Sequence, residues 1–300
     1  MRLDDERESS NVEDDRGSGG GGGGGGFGGL PFGGGGLSLG GIIIVGIIAL
    51  VFGINPLTLL GGGGSSSTGP TRQIGQPQDQ VAPAPAAGPD TSGHFVRKVL
   101  ATTEDTWAKL LPEQTGKAYV NPRLVLFTGQ TQSGCGGATA ASGPFYCPAD
   151  RKVYLDTAFF DELSSRFGAP GDFAQAYVIA HEIGHHVQDL LGTSDQVTAA
   201  QQRASRSQAN ALSVRLELQA DCFAGIWGKA NAAILDPGDV DEAMRAATAI
   251  GDDRLQQQAQ GTIVPDSFTH GTSAQRTRWL KRGLDSGQIS DCDTFNASSL

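Results

Sequence analysis

The stretch His181-Glu182-Ile183-Gly184-His185 decides how the rest of this 300-residue chain is interpreted. Apolar residues recur at helical spacing from Phe173 to Leu191, which predicts one helix with Asp172 as its N-cap and Gly192 as its end. Two histidines four residues apart on a helix lie on one face, one turn from each other. The stretch therefore predicts two imidazoles that can bind one metal ion together.

Zinc suits this donor pair, because two imidazole nitrogens one helical turn apart can each reach the ion at about 2.0–2.1 Å. Glu182 lies beside the predicted site and can accept a proton from water that zinc has made more acidic. This is the H-E-x-x-H arrangement of metallopeptidases, and the apolar residues behind it allow the helix to pack on a core. The alternative is a pair of histidines on a polar helix face without a metal.

A catalytic zinc ion needs a third protein ligand. The pattern that supplies a histidine shortly after the second one fails, because the positions it requires hold Gln188 and Leu191. Glu217 is the better candidate. It lies on the next long predicted helix in an otherwise apolar segment, where a carboxylate needs a partner.

Asp221 lies one helical turn after Glu217 on the same face. Its carboxylate could accept a hydrogen bond from the far nitrogen of His181 or His185 and so fix the tautomer of that ring. The alternative is that Glu217 and Asp221 form ion pairs with Arg215 or another exposed base.

The remaining histidines have different predicted roles. His186 lies roughly 100° further round the helix than the second ligand, so we expect it to line the cleft or bind a backbone carbonyl. His94 is expected at the surface. His270 follows a proline-containing loop and could donate a hydrogen bond to the oxyanion of peptide hydrolysis, opposite Glu182. Tyr177 could fill the same role.

The residues before 93 differ in composition from the rest of the chain. Residues 1–36 are acidic and then almost pure glycine, which predicts a disordered tail because such a stretch buries little apolar surface. Residues 37–60 carry no charge and meet the length of about 20 apolar residues that predicts a transmembrane helix. Residues 61–92 predict a flexible linker, and residues 93–300 form the predicted zinc-binding domain.

Two alternatives remain for residues 37–60. A buried core helix would need packing partners, and a cleaved signal peptide would be shorter and would follow a basic start. The simplest topology is a single-pass membrane protein with a short cytoplasmic tail and the large domain outside.

The four cysteines bear on the compartment. Cys135 and Cys147 bracket a loop of small residues that a disulfide would order, and Cys222 and Cys292 would then form a second pair. Two disulfides favour an extracytoplasmic domain, because the cytoplasm keeps thiols reduced. The alternative is four free thiols.

The charge of the chain excludes one class of partner. A net charge of −10 argues against nucleic acid, since a phosphate-binding surface needs clustered Lys and Arg. The modest basic cluster from Arg276 to Arg282 is interpreted as a solvated helix face.

The folded part of the chain is predicted to be an α+β, mainly helical domain with a small sheet. The strand Val153 to Asp156 is expected at the edge of that sheet, where it could hold an extended peptide. The predicted helices span residues 94–111, 158–167, 172–191, about 196–232 with a break near Ser207, 239–258 and 273–285, and the predicted strands span residues 122–128 and 152–155.

Three segments together resemble the YpfJ-like neutral zinc metallopeptidase family of bacteria. They are Ile179-Ala180-His181-Glu182-Ile183-Gly184-His185-His186-Val187-Gln188, Glu217-Leu218-Gln219-Ala220-Asp221-Cys222-Phe223-Ala224-Gly225 and His270-Gly271. The resemblance covers about residues 90–296, and a Gly-rich N-terminus before one hydrophobic span is similar to that family too.

The glutamate–aspartate pair is also similar to that of the gluzincin peptidases, which implies a zincin-like fold. The resemblance implies that Glu217 is a zinc ligand, that Asp221 supports a ligand histidine and that His270 stabilises the transition state. The proline usual after that histidine is Gly271 here. The implied activity is hydrolysis of peptide bonds in a peptide or protein. The rivals are a zinc-containing binding or chaperone-like membrane protein and a hydrolase of another amide.

Overall fold

The computed structural model describes residues 1–17, 90–139 and 142–300. The predicted transmembrane helix at 37–60, most of the glycine-rich stretch and nearly all of the linker lie outside these ranges. Among the described residues, no helix is both long and apolar enough to cross a bilayer.

The described residues form two small sheets and a larger set of helices, which confirms the α+β prediction. The strands are β1 (Val12–Asp14), β2 (Arg123–Phe127), β3 (Gln130–Ser133), β4 (Gly136–Thr139), β5 (Phe145–Cys147) and β6 (Lys152–Asp156). The helices are α1 (Thr91–Thr115), α2 (Ala158–Ser165), α3 (Asp172–Leu191), α4 (Thr193–Gln201), α5 (Arg206–Ala230), α6 (Asp239–Ala249), α7 (Asp252–Gln260) and α8 (Ser273–Ser286).

Two long predicted helices are each divided. The chain turns at residues 202–205 between α4 and α5, where Ser205 and Gln208 form a capping box that starts α5. The predicted helix 239–258 is interrupted at Gly251, which has an extended backbone and is the N-cap of α7. Gly251 lies directly against Ser273 at the start of α8, where a side chain would collide.

The beginning of α3 also differs from the prediction. Gly171 is the N-cap residue, and its φ of 123° suits glycine. Asp172 is therefore the first helical residue and not the cap. Its carboxylate accepts a hydrogen bond from the α-amino group of Met1 at 2.7 Å.

The main sheet has the strand order β1-β2-β6-β5. The pairs β1–β2 and β2–β6 are parallel, whereas β5 runs antiparallel to β6. The prediction that Val153 to Asp156 forms an edge was wrong for Val153 and Tyr154, because β2 and β5 flank them. In the register of the described strands, Leu155 and Asp156 pair with β2 and not with β5. The edge on that side of the sheet is β5.

The N-terminal residues correct the predicted domain boundaries. Residues 1–17 are not part of a disordered tail: β1 pairs with β2 in register, with Val12 opposite Leu124. Their composition is polar, but the partners that order them are distant in sequence. The folded unit of the described chain therefore includes these residues with residues 90–139 and 142–300.

Both predicted disulfides are present, joining Cys135 to Cys147 and Cys222 to Cys292. The first closes the β4–β5 region. The second connects α5 to the residues after α8, so the C-terminal end of the chain is tied to the helix that carries Glu217 and Asp221.

Helices α5 and α8 pack at very short range, because glycines on both helices leave room for the opposing backbone. A Cβ atom at Gly283 would overlap the carbonyl oxygen of Cys222, and one at Gly225 would overlap that of Leu280. This close approach brings Arg276 of α8 to Asp221 of α5.

Replacing Gly283 by alanine is expected to lower the free energy of unfolding by about 1–3 kcal/mol, since the added methyl group must push two backbones apart. Denaturant unfolding of the purified protein measures it. Gly137→Ala is the matched control, because its nearest neighbour atom would be 3.5 Å away. Equal stabilities of the two variants would contradict the close packing.

Candidate metal centre

Helix α3 crosses α5 at a point where only a glycine fits. A Cβ atom at Gly184 would lie 2.9 Å from the carbonyl oxygen of Ala220. Gly184 stands between the two candidate histidine ligands in sequence. The close crossing therefore brings the imidazoles of α3 opposite the carboxylates of α5.

The predicted ligands converge. His181 Nε2 lies 3.1 Å from Glu217 Oε2, and His185 Nε2 lies 3.4 Å from Glu217 Oε1. The ligand atoms of these three residues all lie within 4.8 Å of one another. Two imidazole nitrogens and one carboxylate are the donor set of a His₂Glu catalytic zinc site. The residues present therefore fit zinc.

The outer nitrogens of both rings are held by hydrogen bonds. His181 Nδ1 lies 2.9 Å from Asp221 Oδ1, and His185 Nδ1 lies 2.9 Å from Gln188 Oε1. In its neutral form, a ring that donates from Nδ1 keeps a free lone pair on Nε2, the atom that faces Glu217. Asp221 thus has the predicted supporting position beside His181.

Asp221 is the centre of a buried polar network. Tyr177 donates its hydroxyl hydrogen to Asp221 Oδ1 at 2.5 Å, and Arg276 Nε and Nη2 donate to the two carboxylate oxygens, both at 2.9 Å. Burial opposes the charged form of Asp221, but Arg276 and His181 outweigh it and lower the pKa of this carboxyl to about 2. Asp221 is therefore a fixed negative charge behind the His181 ring.

The electrostatics of the three ligand residues favour a bound cation. Burial alone would lower the pKa of His181, but Asp221 and Glu217 raise it to about 10 without a metal ion. Burial would raise the pKa of Glu217, yet the histidines around it, His270 first, hold that pKa well below its ordinary value. Carboxylates this close to two imidazoles attract either a proton or a metal ion.

Glu182 lies next to the first ligand and is 7% exposed. Among the described residues, no hydrogen bond or ion pair engages its carboxylate, in contrast to Glu217 and Asp221. A carboxylate that is not engaged in a structural contact is free to accept a proton from a reacting molecule.

His270 lies on a loop that Asp252 holds in place. Asp252 Oδ2 accepts hydrogen bonds from the backbone N–H groups of Thr269, His270 and Gly271 at 2.7, 2.6 and 3.0 Å. Burial would lower the pKa of His270, but Glu217 and Asp252 raise it. The loop therefore places His270 where its charge interacts with that of Glu217.

The other predicted residues lie away from the three ligand atoms. His186 Nε2 donates to the carbonyl oxygen of Val120 at 2.6 Å, as expected for a ring that binds backbone. His94 is exposed and contacts Glu8. Arg215 donates to carbonyl oxygens near the C-terminus and not to Glu217 or Asp221. The ion-pair alternative holds in part, because Asp221 pairs with Arg276, a buried base.

Sequence reasoning missed or misassigned some of the supporting residues. Arg276 was assigned to a solvated helix face, but it is 2% exposed and pairs with Asp221. Tyr177 is fully engaged with the same carboxylate, which removes it as an oxyanion donor. Gln188 could have been found, because it lies three residues after His185 on the same helix face.

Comparison with known proteins places the chain in a family. The sequence pattern of the family described as "Putative neutral zinc metallopeptidase" matches residues 1–295. The chain belongs to this family. Two relatives are the "Uncharacterized protein YpfJ" of Escherichia coli strain K12 and the "Uncharacterized protein Rv2575" of Mycobacterium tuberculosis strain H37Rv.

The two relatives differ in how much of the chain they match. The E. coli protein is 50% identical over 99% of this chain and 100% of its own length. The mycobacterial protein is 40% identical over 74% of this chain and 80% of its own length. No solved structure matches the chain. The match of the family from residue 1 agrees with the inclusion of residues 1–17 in the fold.

Proposed function

We propose that this protein is a zinc-dependent peptidase of zincin type, attached to a membrane through residues 37–60, with its domain outside the cytoplasm. The observation that carries the activity is the convergence of His181 Nε2, His185 Nε2 and the Glu217 carboxylate within 4.8 Å. Membership of a zinc metallopeptidase family supports it. The two disulfides support the compartment, since such bonds persist in oxidising environments.

In this proposal, each residue at the site has one task. Zinc, when bound by His181, His185 and Glu217, supplies a Lewis acid that polarises a carbonyl group and acidifies water. Glu182 accepts the proton that the attacking water loses and returns it to the leaving amine. His270 donates a hydrogen bond to the oxygen that becomes negatively charged in the transition state.

The strand β5 is the proposed binding edge for an extended peptide. It ends the sheet on the side of β6, and an edge strand offers unpaired backbone groups to a peptide. The hydroxyl oxygen of Tyr146 on β5 lies 3.1 Å from His186 Nδ1. His186 follows the proposed ligand His185 in sequence. Tyr146 and His186 thus connect this edge strand to α3, the helix that carries His181 and His185.

A purely structural zinc ion is the first rival. Structural sites close the fourth coordination position with a protein ligand. In the described ranges, the group of possible ligands at this centre comprises three residues, which favours the open coordination of a catalytic site. The second rival, hydrolysis of a non-peptide amide, uses the same zinc chemistry, and only substrate tests separate it from peptidase activity.

Metal removal tests the proposal. The purified full chain is expected to contain one zinc ion per molecule and to cleave a library of peptides, with termini identified by mass spectrometry. A chelator should abolish cleavage, and added zinc should restore it. Zinc binding without cleavage of any peptide would favour the binding protein, and cleavage restricted to other amides would favour the second rival.

The affinity for zinc is expected to weaken as the pH falls. Without metal, His181 is protonated below its raised pKa of about 10, so zinc must displace a proton there at lower pH. Each displaced proton weakens binding about tenfold per pH unit. Zinc titrations with a fluorescent competitor between pH 6 and 8 measure this slope, and an affinity independent of pH would contradict it.

A further inference from the structure

Residues 1–17 are built into the domain by contacts along their whole length. Strand β1 extends the parallel sheet beside β2, and Glu13 Oε2 accepts a hydrogen bond from Lys152 Nζ of β6 at 2.7 Å. Lys98 Nζ of α1 donates to the carbonyl oxygen of Leu3 at 2.7 Å. This segment therefore completes one side of the sheet and covers α1.

The domain also carries a buried acid whose partners come from this segment. Glu104 of α1 is 3% exposed. Its carboxylate accepts hydrogen bonds from Ser9 Oγ at 2.6 Å, Asn11 Nδ2 at 2.7 Å and Arg7 Nη2 at 2.9 Å. A buried carboxylate without partners is costly, so the domain is suited to hold residues 7–11 in place.

The two ends of the connecting chain lie side by side. Arg16 Nη2 is 2.6 Å from Asp90 Oδ2, and Asp90 in turn contacts Arg97 of α1 at 3.4 Å. Arg16 and Asp90, between which the apolar stretch 37–60 lies in sequence, are therefore in contact. A bilayer whose hydrocarbon core is about 30 Å thick cannot separate groups that form hydrogen bonds with each other.

We propose that residues 1–17 and the domain lie on the same side of the membrane. Return to one side needs an even number of crossings. Two helical crossings need about 40 apolar residues, and the uncharged stretch Leu37–Leu60 is too short for two. The proposal therefore differs from the expected single-pass topology.

Cysteine labelling in cells that express the full chain tests the proposal. Asp5→Cys and Glu113→Cys introduce one thiol each at exposed positions of the N-terminal segment and of α1, and the wild-type cysteines are all in disulfides. A membrane-impermeant maleimide should label both variants in intact cells, or both only after permeabilisation. Labelling of one variant alone in intact cells would overturn the proposal. The wild-type chain gives the background.

A cross-link tests the contact itself. In the Glu13→Cys/Lys152→Cys variant, a short bifunctional maleimide should join the two thiols within one chain in carbonate-washed membranes. Each single variant is the control. Absence of the intramolecular cross-link, or release of the chain by the carbonate wash, would overturn the proposal. The labelling and the cross-link do not bear on zinc or peptide cleavage, so this proposal and the proposed activity fail separately. Release by the carbonate wash would contradict the membrane attachment that both proposals share.

Discussion

Replacing Glu182 by glutamine is expected to reduce kcat/KM for peptide cleavage about 10²- to 10⁴-fold and to leave the zinc content unchanged. The amide has nearly the shape of the carboxylate but cannot accept the proton of the attacking water. Zinc should stay, because Glu182 is not among the residues whose ligand atoms converge. Cleavage assays and metal analysis of the same preparation measure both quantities.

Glu113→Gln is the matched control, since this glutamate is exposed on α1. It should retain wild-type cleavage and zinc content. Full activity of the Glu182→Gln variant would remove Glu182 from the mechanism. Loss of zinc from that variant would instead assign this residue to the metal.

Replacing Asp221 by asparagine is expected to lower the free energy of unfolding by about 3–5 kcal/mol, because Arg276 would keep a buried charge without its counter-ion. Loss of the carboxylate behind His181 should also weaken zinc binding about 10- to 100-fold. Denaturant unfolding of the zinc-free protein measures the first effect, and a zinc titration measures the second.

Asp285→Asn serves as the control for the loss of one aspartate charge. Asp285 pairs with Lys281 at 2.7 Å, but both side chains are more than 60% exposed, so the change should be small. Equal free energies of unfolding for the two variants would contradict the stabilising role that burial implies for the pair formed by Asp221 and Arg276.

The residues that converge at the candidate metal centre could be found from the sequence because their arrangement is local. Helical periodicity places His181 and His185 on one face, and it places Glu217 and Asp221 on one face of a second helix. The structure brings these faces together at Gly184. The pairings of Cys135 with Cys147 and of the two remaining cysteines were also predicted correctly.

The errors concern residues whose environment depends on distant parts of the chain. Arg276 stands in a basic stretch of α8, and only the close approach to α5 buries it against Asp221. The polar composition of residues 1–17 predicted disorder, because their partners, such as Glu104, are about ninety residues away in sequence. The order of strands in the sheet also depends on a contact between residues distant in sequence, because β1 pairs with β2.

The short distance between Arg16 and Asp90 has a practical consequence for protein production. A recombinant domain begun at residue 93 would lack β1 and would leave Glu104 without Ser9 and Asn11. A better design keeps residues 1–17 and joins them to residue 90 through a few glycine and serine residues in place of residues 18–89. Such a shortened chain would preserve the complete sheet and omit the apolar stretch, which makes it a suitable starting point for crystallisation.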